Sequence, residues 1–231
     1  SGYSISLEGE LEIDTGRLLG ITATNIRVSA PDWASHPDLA SAGYLRISLE
    51  TASLLADSVV VDSLQISELK INLETNNDGS GNWSASGVTP SAPDDSDRDP
   101  AVIFNGVQLK NVDLYYLSGK SGIGQHLNIA SLDQKQLPDG MLRAELKGAF
   151  NARPVAFEGS IGPYPNLLRG QGISYSGHGN FGDLTINGDG FIDDLLQPRF
   201  PQFNLRMEGP NIDEITAMFG VDDLGSGGFS L

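Results

Sequence analysis

Three histidines, His36, His126 and His178, are the only imidazoles in the chain, and there is no cysteine. Nucleophilic catalysis needs a base within hydrogen-bond reach of its nucleophile, usually inside a recognisable local motif. The histidines lie far apart in sequence, in Gly-, Pro- or Ser-flanked stretches that read as loops, and no Gly-x-Ser-x-Gly elbow occurs. Thiol catalysis, disulfide scaffolds and cysteine-ligated zinc have no residues to build on. Gly177-x-Gly179-x-x-Gly182 has the spacing of a dinucleotide fingerprint, but that motif must open a helix, and Asp183–Gly188 reads as strand and turn. Gly119-Lys120-Ser121 lacks the upstream glycine of a phosphate loop, because position 114 is Leu.

Asp78-Gly79-Ser80-Gly81-Asn82 has the outline of a calcium loop without the bidentate Glu that such a loop needs further along. Asn, Asp and Gly favour turns for conformational reasons, and the segment reads as a tight turn. Asn82-Trp83-Ser84 is a formal glycosylation sequon. Glu8, Glu10 and Glu12 alternate onto one face of a strand, as a solvated surface rather than an acid and base with separated pKa values. The expectation is a protein that is not an enzyme, with no catalytic, cofactor-binding or metal-binding residues and no cofactor.

The elements that would position any binding surface are strands. Glycine reaches 28 of 231 residues and apolar residues 39%, which suits many short strands joined by tight turns and a thin core. The formal charge is −16, from 30 acidic and 14 basic side chains. Such a charge repels phosphate backbones, so nucleic acid is excluded as a partner, and it keeps the surface soluble. No apolar run approaches the roughly 20 residues that a membrane-spanning helix needs. The chain opens on Ser1-Gly2-Tyr3 and closes on Gly228-Phe229-Ser230-Leu231, which looks like the start of a further strand. It reads as a fragment of a longer protein.

Period-two alternation recurs along the chain. Ile5, Leu7, Leu11 and Ile13 alternate with Ser6 and acidic residues, with Gly9 in phase on the apolar side. Ile21 and Ala23 keep one phase and Ile26 and Val28 the other, so a bulge is expected near Asn25. Leu45, Ile47 and Leu49 alternate with Arg46, Ser48 and Glu50. Thr51–Leu55 is a single helical turn or a loop. Val59 and Val61, then Leu64 and Ile66, then Leu69, Ile71 and Leu73 hold period two with phase changes between them. Similar pieces run from Phe104 to Leu114, from Leu142 to Leu146, from Val155 to Ile161, at Leu184 and Ile186, and from Phe203 to Met207. A short helix is expected at 212–219, with Asn211 as its N-cap and Gly220 after its last turn.

The pattern gives an all-β, predominantly antiparallel fold of many short amphipathic strands with one or two short helices. It divides into a β segment at 1–83, a flexible acidic and Pro-containing linker at 84–100, and a second β segment at 101–231. Most strands have one apolar face and almost no helices exist to cover it. The sheet must fold on itself as a sandwich or barrel, or form an elongated curled sheet or trough whose dry side is filled by something else.

Leu7-Glu8-Gly9-Glu10-Leu11-Glu12-Ile13-Asp14, then Ile26 to Ala34, then Leu45 to Leu55, then the turn Asp78-Gly79-Ser80-Gly81-Asn82-Trp83 stand in an order that resembles the AsmA family. Leu205-Arg206-Met207-Glu208-Gly209-Pro210-Asn211-Ile212, running on to Phe219-Gly220, is similar too. The family's Pro-Leu-Leu-Gly signature is replaced by Ser53-Leu54-Leu55-Ala56. The resemblance covers most of the chain and is weakest between residues 115 and 175. It implies a periplasmic segment, tethered to the inner membrane of a Gram-negative bacterium by a helix N-terminal to residue 1. It also implies a role in outer-membrane biogenesis and a relation to TamB and to chorein-type bridges that move phospholipid along an apolar trough. On that reading Leu7, Leu11, Ile13, Leu45, Ile47, Leu49, Ile66, Ile71 and Leu73 face lipid, and phospholipid or another lipid is the partner. The alternative is a scaffold that binds envelope proteins through exposed sheet edges and carries no lipid.

Overall fold

The computed structural model describes residues 3–56, 58–84, 101–194, 202–210 and 229–230. The helix expected at 212–219 and nearly all of the expected linker lie outside the described residues. The chain divides into two compact units, 1–129 and 130–231. The first holds β1 (Ile5–Leu7), β2 (Leu11–Asp14), β3 (Leu18–Ser29), β4 (Asp38–Glu50), a 3-10 turn (Thr51–Leu55), β5 (Ser58–Thr75), β6 (Ala101–Phe104) and β7 (Gly106–Ser118). Strand β8 (Gly124–Gln136) runs across the division. The second unit holds β9 (Leu142–Phe150), β10 (Arg153–Gly162), α1 (Tyr164–Arg169), β11 (Gln171–Phe181), β12 (Leu184–Asp194), β13 (Gln202–Gly209) and β14 (Phe229–Ser230).

In the first unit β3, β4, β5 and β7 are hydrogen-bonded in that order, with β1 and β2 both along the outer edge of β3. Pairing is antiparallel except on β5, where β6 and β7 both run parallel to it. A parallel neighbour requires a long crossover rather than a tight hairpin. The sequence places a domain linker at 84–100, whereas β6 and β7 beyond it pair with β5 and belong to the first unit. A polar, Pro-containing stretch signals where burial stops, and pairing can resume on the same sheet after it.

The second unit is an antiparallel run in the order β9, β10, β11, β12, β13, β14. Asn151 and Ala152, both at positive φ, form the two-residue loop between β9 and β10, the backbone twist that a tight hairpin needs. Helix α1 begins at Pro163-Tyr164-Pro165-Asn166 and was not expected from the sequence. The prolines in fact fit its first turn, and Gly170 in the left-handed region closes it.

Within each unit the strands touch their hydrogen-bonded neighbours, and no second sheet layer packs on them among the described residues. The buried apolar side chains there are Ala23, Val61 and Val112 in the first unit and Ile173, Phe181 and Leu184 in the second. A sandwich would bury two facing sets of side chains, so that alternative is replaced by an open sheet in each unit. His126 and His178 lie on β8 and β11 rather than in loops. The glycines beside His178 are strand residues over which rings and backbone approach closely, not turn formers.

Candidate functional site

Cross-strand registry in the first unit assembles one apolar face. Leu11 faces Ala23, which faces Leu45, then Ile66, then Leu109. The next row is Ile13, Ile21, Ile47, Leu64 and Val107. Beyond Ala23 the rows run Leu7, Ile26, Ala42, Leu69, Val112 and then Ile5, Val28, Ala40, Ile71, Leu114. Leu73 pairs Tyr116 at one end, and Leu49 pairs Leu19 and Val61 at the other.

Strict alternation would place the two halves of each strand on opposite faces, because Ala23 and Ile26, Ala42 and Leu45, Ile66 and Leu69, and Leu109 and Val112 are each three apart. The residues in between resolve this. Asn25, Glu68 and Asn111 stand at φ 51°, 56° and 52°, and Gly43 completes the row across β4. In β3, β5 and β7 this one left-handed residue reverses the side-chain alternation, so the apolar side chains return to the same face. Burial follows: in β7 Val107, Leu109, Val112, Leu114 and Tyr116 are covered more than Gln108, Lys110, Tyr115 and Leu117. The bulge expected at Asn25 is therefore not a local insertion in one strand. It is a crease in which three strands place a left-handed residue in register, with Gly43 of β4 between Asn25 and Glu68. At the edge, β1 and β2 are separated by Gly9, over which Thr24 lies so close that a Cβ would collide with its hydroxyl and carbonyl.

The opposite face is polar. Thr22, Arg46, Gln65 and Gln108 form one row, and Arg27, Ser41, Lys70 and Asp113 another. Arg46 donates to Thr22 Oγ1 at 3.0 Å and pairs with Asp14 at 3.5 Å, while Arg27 bridges Glu8 and Asp38 at 3.4 and 3.1 Å. Asp113 accepts from Asn128 Nδ2 at 3.0 Å and lies 2.9 Å from His126 Nε2; the His126 ring stacks on Tyr115 with centroids 4.1 Å apart. The Asn128 hydrogen bond, then the His126 one, hold the Asp113 carboxyl below the usual carboxylate range. In the second unit Glu158 contacts Arg143 and stands 4.0 Å from His178 Nε2, on an exposed strand surface.

The Asp78–Trp83 turn has a structural task. Asn82 donates Nδ2 to the Asn72 carbonyl at 2.8 Å and accepts from the Glu74 amide at 2.9 Å, and its own carbonyl accepts from the Tyr3 hydroxyl at 2.9 Å. At 1% exposure its amide is committed to fastening the end of β5, so it is no accessible glycan acceptor.

All nine residues singled out in the sequence lie in the first unit and fall within the apolar rows above. Leu45, Ile47, Leu49, Ile66, Ile71 and Leu73 are half-buried, and Leu7, Leu11 and Ile13 are exposed on the edge strands. Sequence reasoning did not select Ile21, Ile26, Leu64, Leu69, Leu109, Val112, Leu114 and Tyr116, which complete the same rows. Their alternation was visible, but only the registry shows that the phase breaks coincide. No family model matches the sequence, and no curated protein matches it.

Proposed function

We propose that this chain is a lipid-binding module that carries phospholipid acyl chains along the apolar face of its first unit, as part of an AsmA-like periplasmic protein tethered to the inner membrane and serving outer-membrane biogenesis. The observation that supports the reading is the crease at Asn25, Gly43, Glu68 and Asn111. It keeps four successive rows of apolar side chains on one face that no second layer covers among the described residues. A continuous apolar surface of this kind is unusual for a soluble domain and marks a site of interaction. The AsmA order of motifs supplies the cellular setting. No chemical step forms part of the proposal.

The test is native mass spectrometry and lipid extraction of protein purified without detergent. Phospholipid should co-purify, and Ile47→Asp, in the centre of the face, should lower retained lipid by about tenfold with an unchanged circular dichroism spectrum. Lipid-free protein that also fails to take up phospholipid from vesicles would overturn the reading. A second reading, an envelope scaffold, draws on the β1–β2 edge, where Ile5 is 76% and Ile13 60% exposed. It predicts that Leu11→Pro abolishes capture of a protein partner while lipid retention stays the same.

A further inference from the structure

Registry in the second unit lays glycines across the sheet. Gly159 of β10 faces Gly177 of β11, which faces Gly188 of β12, with Ala144 and Leu205 at the two ends of the row. The Phe157 ring lies down over part of this floor: a Cβ on Gly159 or Gly177 would stand 2.7 or 2.6 Å from its Cζ. Gly188 has no such cover, and a Cβ there would meet only ordinary contacts at 3.6 and 3.7 Å. The space left is a groove of about 560 Å³ walled by Leu142, Phe157, Ile161, Tyr175, Ile186 and Ile192, with Phe157 47% exposed.

Gln134 of β8 lines the same groove, and its Nε2 is buried with no hydrogen-bond partner among the described residues. A buried donor left unmade is costly, so the site calls for an acceptor at that point. The walls are otherwise almost wholly apolar. A peptide strand would bring a donor and an acceptor at every residue, and a sugar or nucleotide more, with too few partners to satisfy them. An alkyl chain ending in an ester offers an acceptor to that one donor and brings no donor of its own. The formal charge of −16 disfavours an anionic head group beside it.

We infer that this groove is a second lipid site, which takes one acyl chain of a zwitterionic or uncharged lipid, with the Gln134 amide donating to the ester carbonyl. The inference rests on the lipid reading above and adds to it a site with its own selectivity. The experiment uses the whole chain with vesicles of phosphatidylcholine that carries a photoactivatable diazirine in one acyl chain, followed by peptide mapping of the adducts. Labelling is expected at Phe157, Ile161 and Ile186 as well as on the first unit. Gly188→Leu, allowed by the backbone and filling the floor, should cut labelling of the second unit by about tenfold, and labelling at Leu45 and Ile66 should be unchanged. Gln134→Leu keeps the shape, removes the donor and should lower the same labelling. The same chain on phosphatidylglycerol should label the second unit less.

Labelling confined to the first unit would overturn the inference and leave the lipid reading standing; no labelling anywhere would overturn both. Adducts on the second unit that ignore both substitutions, or that do not distinguish the two head groups, would equally overturn it. So would cross-links from this groove to polypeptide, of this chain or a second copy, in place of lipid adducts.

Discussion

Asn82 shows how one side chain does what a stretch of strand would otherwise do. The β4–β5 register ends at the Ala40–Ile71 pair, and beyond it the Glu74 amide and Asn72 carbonyl are met by the two ends of the Asn82 side chain. With its own N–H on the Glu74 carbonyl at 2.8 Å, the residue substitutes for a short piece of neighbouring strand. Asn82→Ala leaves a donor and an acceptor unmade in a buried place, so a destabilisation of about 2–4 kcal/mol is expected in urea unfolding of the whole chain. A change below about 0.5 kcal/mol, the size of an ordinary surface substitution, would show that water reaches these groups.

At the level of elements, the crease decides whether the first unit has a face at all. Gly43 and Glu68 are its tightest contact: a Cβ at position 43 would stand 2.6 Å from Glu68 Oε2 and 3.0 Å from its Cβ. Gly43→Val should therefore destabilise the protein by about 1–3 kcal/mol, the usual scale of overpacking. Glu68→Gly in the same chain removes both the collision and a non-glycine residue from positive φ, and should recover most of that loss in a double-mutant cycle. Independent, additive effects would mean that the two residues do not meet. This crease also marks what the sequence could and could not say. The phase slips at Asn25 and between Ile66 and Leu69 were each legible, because alternation is a property of consecutive residues. Their alignment was not, since it depends on which strands pair and in what register. The parallel pairing of β7 with β5 was hidden for the same reason. So was the groove of the second unit, whose floor joins Gly159, Gly177 and Gly188 from three strands, each unremarkable where it stands.

For the molecule as a whole, an apolar face and a large negative charge oppose each other. In both units apolar rows remain partly open to solvent, and burial of such surface between two copies would be worth about 25 cal/mol per Å². Against that stands the charge of −16, which separates copies in solution. Exposed ion pairs such as Arg27 with Glu8 and Lys147 with Glu145 add little stability of their own. The balance should therefore tip with conditions that remove repulsion. Light scattering of lipid-free protein is expected to show self-association as pH falls toward the sequence isoelectric point of about 4.3, or as salt screens the charges. Protein loaded with phospholipid has its apolar rows covered and should resist both changes. Equal association with and without lipid would mean that the apolar rows are not what brings the copies together, and would count against a lipid occupying them.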